Sequence, residues 1–576
     1  MAPPTAPSGP NGSENRPNLE LARAAPRSNV SAVRRTLGFL IGFPWTLVPL
    51  ATMRSLAALR GDARAKENAR ALWKLMFSGA DFFCCVVWYL RGFYSMSDPY
   101  KNAKDFPLSS DDFKIVPKTF EVDEQLSFQY GANDFDMPER RMSGVYRALY
   151  FMMRHAPPPR AVQIDFESIT DFQQMLKDTF KRTFVALRPI TLAPSDPQTA
   201  VKYFTHDYGA PYLEKKDGRL VADLSHWENL ELKCGGKTYE RYGGKFSFNP
   251  DGSDPEITYL GKTYHPSDAD WPRVQYIVLS TTLLAVVVEL HTTHVHMLNS
   301  ALFTLKTRSI LNKDHPIYRL MRPFTIKSVA INEHAIHSIL GDSGILLHGS
   351  ALTYGSLKRL YRSANDGYKH IPLPQLLTSR GLASEAANVP YVEEGLRVWK
   401  IISDFVTHYV ELYYPDDAAL RADTELAAWY EGIRGGMPAT SGVSPTLSRQ
   451  ALIDLIAVYI WNVTVYHDVT SQTGNTLYDY RLGATIVKRA DKFGTWYPNF
   501  QEHAITLLAH QLTTIESVKL TDNFHCWWLD DRAHRTALKF QEELWDFHFD
   551  LAERNKKRDL TYNAMDPIYI ETSVQT

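Results

Sequence analysis

The chain has 576 residues, room for one large domain or for roughly two to four ordinary ones. Hydrophobic residues make up 44% and charged residues 22%, the balance of a globular protein. The 63 Lys plus Arg nearly cancel the 64 Asp plus Glu, so charge offers no argument for nucleic acid or an acidic surface as partner.

Residues 1–33 are rich in Pro, Ser, Asn, Gly and Ala, lack hydrophobic periodicity and read as a disordered segment. An apolar extension, 34–110, follows. Its run from Leu37 to Met53 is flanked by arginines and interrupted by Pro44 and Pro49. It is shorter than the about 20 unbroken apolar residues of a spanning helix, and a signal peptide does not begin after so long a polar stretch. A helix docked on the main domain is the plain reading, with peripheral membrane contact through 37–53 as the alternative. The stretch 82–94 faces the same choice, and the expected location is cytoplasmic with peripheral membrane association. Cys84, Cys85, Cys234 and Cys526 fit neither a disulfide framework nor a zinc site and read as buried thiols.

Residues 111–576 read as one catalytic domain, mainly α with a few short strands in its N-terminal part. Helical spacing marks 142–153 and 171–184. "DGRLVADL", "KTYERYGGKFSFN" and "ITYLGKTYH" alternate around Gly and Asn-Pro punctuation and read as strands. From 271 onward the pattern predicts long helices, about 271–300, 325–341, 395–432, 447–470, 500–517 and 531–556. Aromatics at 12% suit a large apolar core or pocket.

The segment from Trp271 to Arg308 is apolar on all sides in its middle, so it predicts a buried central helix, yet it carries His291, His294 and His296. A single buried histidine is ordinarily one hydrogen-bonded to a carbonyl, but three in six residues weaken that reading. On an α-helix, at about 100° per residue, His291 and His294 lie roughly 60° apart and His291 and His296 roughly 140° apart. A π-bulge would bring His296 back toward His291. Spacing alone therefore leaves two pairings open, His291 with His294 or with His296, and favours the first.

The surroundings resemble the lipoxygenase family. Trp271 stands where that family has a tryptophan before an H-x4-H metal pair, matched by His291 and His296. Arg308 and "HPIYRLMRP" (315–323) follow. "INEHA" (331–335) is similar to the family's IN-x-x-A-R signature, with Ile336 in place of the arginine. The acidic block "HYVELYYPDDAALRADTELAAWYEGI" (408–433) is the most specific match. "LIDLIAVYIWNVTVYHDVTSQ" (452–472) resembles the third histidine helix, and "YNAMDPIYIETSVQT" resembles the family's C-terminus. The likeness is good over 270–576, poor over 120–270 and does not reach 1–110. No trace of the N-terminal β-sandwich that many members carry is expected, and 166–180, the counterpart of the substrate-gripping helix, lacks its glycine–asparagine–proline turn.

That resemblance implies a lipoxygenase-like helical catalytic domain holding non-haem iron, or manganese. The implied ligands are His291, His296, His467, Ser471 at the usual asparagine position and the terminal carboxylate of Thr576. His294 is packed or supporting, and His525 and His548 are ordinary helix residues. Ala335 and Ile339 would face the substrate. The implied reaction takes a hydrogen atom from a 1,4-pentadiene of a polyunsaturated fatty acid, or another lipid, and inserts O2 to give a lipid hydroperoxide. No catalytic side chain beyond a metal-bound hydroxide is implied. The alternatives are an oxidase of this fold acting on a different apolar substrate and a non-catalytic, membrane-associated relative.

Overall fold

A computed structural model describes residues 196–574 except 237, 327, 329–331, 333–345, 347, 348, 472–484, 488, 490–518 and 522–527. The expectations for 1–33, 34–110, 142–153, 166–180, 171–184 and 500–517, and those for Cys84, Cys85, Cys526, His525, Ala335, Ile339 and Thr576, lie outside the described residues.

Helix α1 (Gln198–His206) leads into a five-stranded antiparallel meander, β1 (Glu214–Lys216), β2 (Arg219–Asp223), β3 (Lys245–Phe248), β4 (Glu256–Tyr259) and β5 (Lys262–Tyr264), in sequence order. Each of the three stretches expected as strands contains one, the second only over Lys245–Phe248 and the third as the pair β4 and β5, while β1 was not expected. Two hairpins turn on Asp217-Gly218 and Leu260-Gly261, all four residues at φ between 49° and 81°. Left-handed backbone at both central positions is what a two-residue hairpin matching the strand twist requires. The face formed by Leu220, Ala222, Phe246, Phe248 and Ile257 is buried. Gly244 lets the sheet approach the helical core, since a Cβ there would meet Val278 Cγ2 at 2.9 Å, and the neighbouring Gly243 N–H donates to Thr281 Oγ1.

Thr281 belongs to α2 (Trp271–Ile310), forty unbroken helical residues through the centre of the fold. Pro272 sits in its first turn, where a missing N–H costs nothing. Along with α9 (Arg449–Ser471, defined below), α2 is long and apolar enough to cross a membrane. In each, however, 89% of the apolar window is buried within the protein itself, the signature of a core helix.

The described helices that follow are α3 (Pro316–Met321), α4 (Tyr354–Gly367), α5 (Leu373–Ser379), α6 (Pro390–Tyr413), α7 (Asp417–Ala422), α8 (Thr424–Gly436), α9 (Arg449–Ser471) and α10 (Asp531–Asn555), of which α3, α4, α8 and α9 pack directly against α2. The single helix expected over 395–432 is three. Pro415 disfavours helical backbone at Tyr414. Asp416 then caps α7 by accepting from the amides of Ala418 and Ala419, and Asp423 caps α8 by accepting from Leu426. Asp423 also accepts from Tyr414 and faces His315, whose other ring nitrogen accepts from Ile317 N–H at the start of α3. The "HPI" and acidic-block motifs thus meet as one structural joint. On the far side, α6 and α10 pack through Phe405 and Phe540, stacked at 4.4 Å, and through Glu394, which Arg554 and Arg558 both grip.

Candidate metal centre

Within α2 the backbone is π-helical over Val286–Ala301. A π-helix bonds each N–H five residues back. Side chains reinforce that register. Thr292 Oγ1 donates to the Val287 carbonyl (2.6 Å), Thr293 Oγ1 to Val288 (2.8 Å) and Asn299 Nδ2 to His294 (2.7 Å), each five residues back.

The consequence is that His291 and His296 stand together, with Nε2 atoms 2.9 Å apart and ring centroids 4.6 Å apart. His467 arrives from α9, directly after a second π-helical stretch, Asn462–Tyr466. Its ring lies 4.9 Å from that of His291 and 5.5 Å from that of His296. Potential ligand atoms of the three histidines all fall within 4.8 Å of one another.

This geometry decides between the two pairings in favour of His291 with His296. His294 turns away, its Nε2–H donating to the Ala364 carbonyl on α4 (2.9 Å) and its ring resting on Tyr368. His548 is likewise occupied elsewhere, paired with Asp566 at 2.8 Å.

The partners of each ring assign its tautomer. Asn332 donates through its amide nitrogen to Ser300 Oγ, so its oxygen accepts from His296 Nδ1–H (2.9 Å). Thr470 donates to the carbonyls of Tyr466 and His467, leaving its oxygen as acceptor for His291 Nδ1–H at 3.5 Å. Protonation on Nδ1 leaves two Nε2 lone pairs facing each other at 2.9 Å. That arrangement calls for an electrophile between them. With metal–nitrogen bonds of about 2.1 Å, two imidazoles at right angles on one ion would place their donors about 3.0 Å apart. His467 is fully buried and neither of its nitrogens has a hydrogen-bond partner among the described residues, an arrangement that without a metal would cost about 1–3 kcal/mol per group. The residues fit a metal ion.

Burial keeps His296 neutral. His296 is lowered to about 3, first by removal from water and second by the neighbouring His467, against the opposing Asn332 bond. His294 is lowered to about 4 by burial, against its bond to Ala364. His291 is half-buried, which leaves the centre one more open side.

Ser471, the last residue of α9, donates its hydroxyl to the Asp468 carbonyl at 3.3 Å. Thr576 lies beyond the described residues, but Glu571, Thr572, Ser573 and Val574 before it are buried, and Ser573 donates to the Ile326 carbonyl. Glu571 brings its carboxylate to 3.9 Å from His467 Nδ1, and Asp468 approaches the same atom at 3.7 Å.

Four residues at the centre escaped the sequence reading. Asn332 lay inside the quoted "INEHA" without a role. Thr470 and Asp468 flank the third histidine, but nothing local distinguished them from packing residues. Glu571 meets Asp468 across 103 residues, a contact no local pattern encodes. One cleft of 110 Å³, lined in part by Tyr212, Leu290 and Arg380, opens beside the π segment. It is too small for a fatty-acid chain, since sites for such ligands run to about 300–1,000 Å³.

A lipoxygenase family model matches residues 277–512, a span that includes all three histidines. The human (Homo sapiens) hydroperoxide isomerase ALOXE3 is 25% identical over 349 residues, covering 54% of this chain and 46% of that protein. The mouse (Mus musculus) polyunsaturated fatty acid lipoxygenase ALOX8 is 25% identical over 333 residues, covering 54% and 49%. The chain thus spans about half the length of the curated relatives it matches. Among solved structures, a calcium-dependent 11R-lipoxygenase superposes with a TM-score of 0.63 at 15% identity, over 72% of this chain and 70% of that one. A coral 8R-lipoxygenase gives 0.60 at 15% identity, over 73% and 76%. These likenesses establish the fold, which is the mainly helical one expected, with its small sheet in the N-terminal part. The motif order, the three-histidine centre on two π-interrupted helices and these matches place a lipoxygenase family domain in this chain, matched over residues 277–512 and divergent from its relatives.

Proposed function

We propose that the chain is a non-haem metal dioxygenase that oxygenates the 1,4-pentadiene of a polyunsaturated fatty acid to a lipid hydroperoxide. The observation that carries this reading is the pair of Nε2 atoms at 2.9 Å, with His467 beside them lacking a hydrogen-bond partner among the described residues. Imidazole donors suit iron and also manganese, and the family favours iron. A metal bound there supplies one-electron oxidation of the substrate and the handling of O2.

The chain's own residues do the rest. His291, His296 and His467 offer imidazole nitrogens, and Thr470 and Asn332 orient the first two. The surrounding Val288, Val295, Met297 and Val463 exclude water. Ser471 and the terminal carboxylate of Thr576 are the further ligands we propose, and Ala335 and Ile339 the residues against the substrate, all by position within the family motifs. A relative from Pseudomonas aeruginosa named linoleate 9/13-lipoxygenase, 29% identical over 186 residues and covering 31% of this chain and 26% of its own, supports fatty acid as the substrate class. A solved lipoxygenase structure in complex with arachidonate supports it too. Peripheral membrane contact through 37–53 and a cytoplasmic location belong to the same proposal.

A second reading has its own support in the relative named hydroperoxide isomerase. It would rearrange a lipid hydroperoxide without consuming O2. Oxygen uptake and conjugated-diene absorbance with linoleate and arachidonate, run beside loss of a preformed hydroperoxide, separate the readings. Uptake with diene formation supports the dioxygenase. Hydroperoxide loss without uptake supports the isomerase, and neither activity in metal-loaded protein would overturn both.

A further inference from the structure

Each of the two π-helical stretches carries a buried asparagine, Asn299 three residues after His296 and Asn462 five residues before His467. Both turn toward one buried hydroxyl, that of Tyr368 just beyond α4. Asn299 Nδ2 donates to it at 2.7 Å and Asn462 Nδ2 at 3.0 Å. The second Asn462 hydrogen goes to Asn299 Oδ1 at 3.3 Å, and the second Asn299 hydrogen to the His294 carbonyl at 2.7 Å. Only the backbone of His294 takes part in these bonds.

The direction of each bond follows from its neighbours. His370 donates Nε2–H to the Leu455 carbonyl of α9 at 3.0 Å. Burial lowers its pKa to about 4, against that bond, so the ring is neutral near pH 7. Its Nδ1 is therefore a lone pair, and it accepts the Tyr368 hydroxyl hydrogen at 2.9 Å. With its one hydrogen committed, the Tyr368 oxygen is left to accept from the two asparagines. Every donor in this set thus has an acceptor. A buried polar network satisfied in this way is rigid, whereas a half-satisfied one is costly. A tie that only held α2 to α9 could sit anywhere along their length. This one sits where both helices leave α geometry, on the turns that carry the histidines.

We propose that Tyr368 is a positioning residue of the metal centre, which fixes the spacing of His467 against the His291–His296 pair by accepting from one asparagine of each π-helical stretch. This rests on the metal-centre reading above. The hydroxyl need not touch the metal, because it acts through the backbone of the two stretches. His370 aims it, by taking its hydrogen on the side away from the asparagines. The donor set is then organised before the ion arrives rather than assembled around it.

The test uses the full chain. Tyr368→Phe removes the shared hydroxyl, Asn462→Leu removes one arm, and the double variant removes both. Tyr259→Phe is the control, since it takes a buried tyrosine hydroxyl from the Arg241 carbonyl in the sheet. Circular dichroism and thermal melts follow the fold and stability of each. Chelator competition measures ferrous iron affinity, and electron paramagnetic resonance of the ferric form reports the symmetry around the ion. Tyr368→Phe and Asn462→Leu should each weaken iron binding by about 3–30-fold, the range for residues that act on a site without touching its ligand. Both should alter the ferric spectrum. The double variant should lose little more than the larger single loss, because the two residues act through one bond. Tyr259→Phe should change neither affinity nor spectrum.

Unchanged affinity and spectrum in the folded variants would overturn the proposal while leaving the metal centre intact. Losses that simply add would overturn it too, as would a Tyr259→Phe effect equal to that of Tyr368→Phe, which would make the hydroxyl a matter of stability alone. Should Tyr368→Phe fail to fold, Asn462→Leu decides by the same two readouts. A wild-type chain that binds no iron would bring down the metal-centre reading itself, and this inference with it.

Discussion

His296 owes its usable lone pair to Asn332, and the dependence can be measured. Replacing Asn332 with Ala leaves His296 Nδ1–H buried without its acceptor and Ser300 without its donor. The unsatisfied group should cost about 1–3 kcal/mol of stability. Metal affinity should fall by about 10–100-fold, as when such a partner of a ligand histidine is removed. Denaturant unfolding of the metal-free protein and chelator competition on the loaded one check the two effects separately. At this scale the histidines were visible in the sequence as an oddity in an apolar run, but their roles were not. His294 and His296 differ in nothing a local pattern records. Only the backbone register, and then the carbonyl of Ala364 waiting for one and the amide of Asn332 for the other, separates them.

The register is a property of the element. A local bulge was expected near the histidines, whereas the π geometry runs over Val286–Ala301 and recurs at Asn462–Tyr466. Helical periodicity cannot reveal this, because π and α turns of an all-apolar segment bury the same residue types. The threonines bonded five residues back are the sequence's contribution, legible only once the partner carbonyl is known. Thr293→Val is nearly isosteric and removes one such bond in a fully buried place. It should cost about 1 kcal/mol, the net worth of one hydrogen bond, and loosen metal retention along with it. Thr536→Val, on the exposed face of α10, removes an ordinary bond four residues back and should leave metal retention as it was. Thermal melts and metal analysis of both proteins make the comparison. Equal metal loss in the two would separate the threonine bonds from the centre.

At the scale of the whole molecule, long helices and the order of motifs were readable, and the breaks between helices were less so. The division of 395–432 came from Pro415 and two capping aspartates, local signals outweighed in the sequence by a strong acidic-block pattern. The joint between α6 and α10 was not readable at all. Glu394 is fully buried and accepts from Arg554 and Arg558 across 160 and 164 residues. Glu394→Ala should destabilise the fold by about 3–5 kcal/mol, since it takes the carboxylate from Arg554 and leaves Arg558 only Glu393. Chemical denaturation gives the value, and a loss below that of an ordinary surface substitution would mean the joint is dispensable.

Acid should loosen the fold as well. His294 and His370 are lowered to about 4 by burial, while in the unfolded chain they titrate near the ordinary histidine value of about 6.5. Between those limits the unfolded state binds more protons, so stability is fully present above 6.5 and is lost as pH falls toward 4. The slope is at most about 1.4 kcal/mol per pH unit for each such histidine. Unfolding measured from pH 7 to pH 4 on metal-free protein should follow that trend, and His370→Gln should flatten it.

The metal centre itself is tested most directly by elemental analysis of the purified full chain and its histidine variants. Wild type should carry about one iron or manganese per chain and no haem. His291→Ala, His296→Ala and His467→Ala should each lose most of it, while His294→Ala keeps it. Metal lost from His294→Ala but retained by His296→Ala would contradict the pairing that the π-helical register imposes, and with it the three-histidine centre.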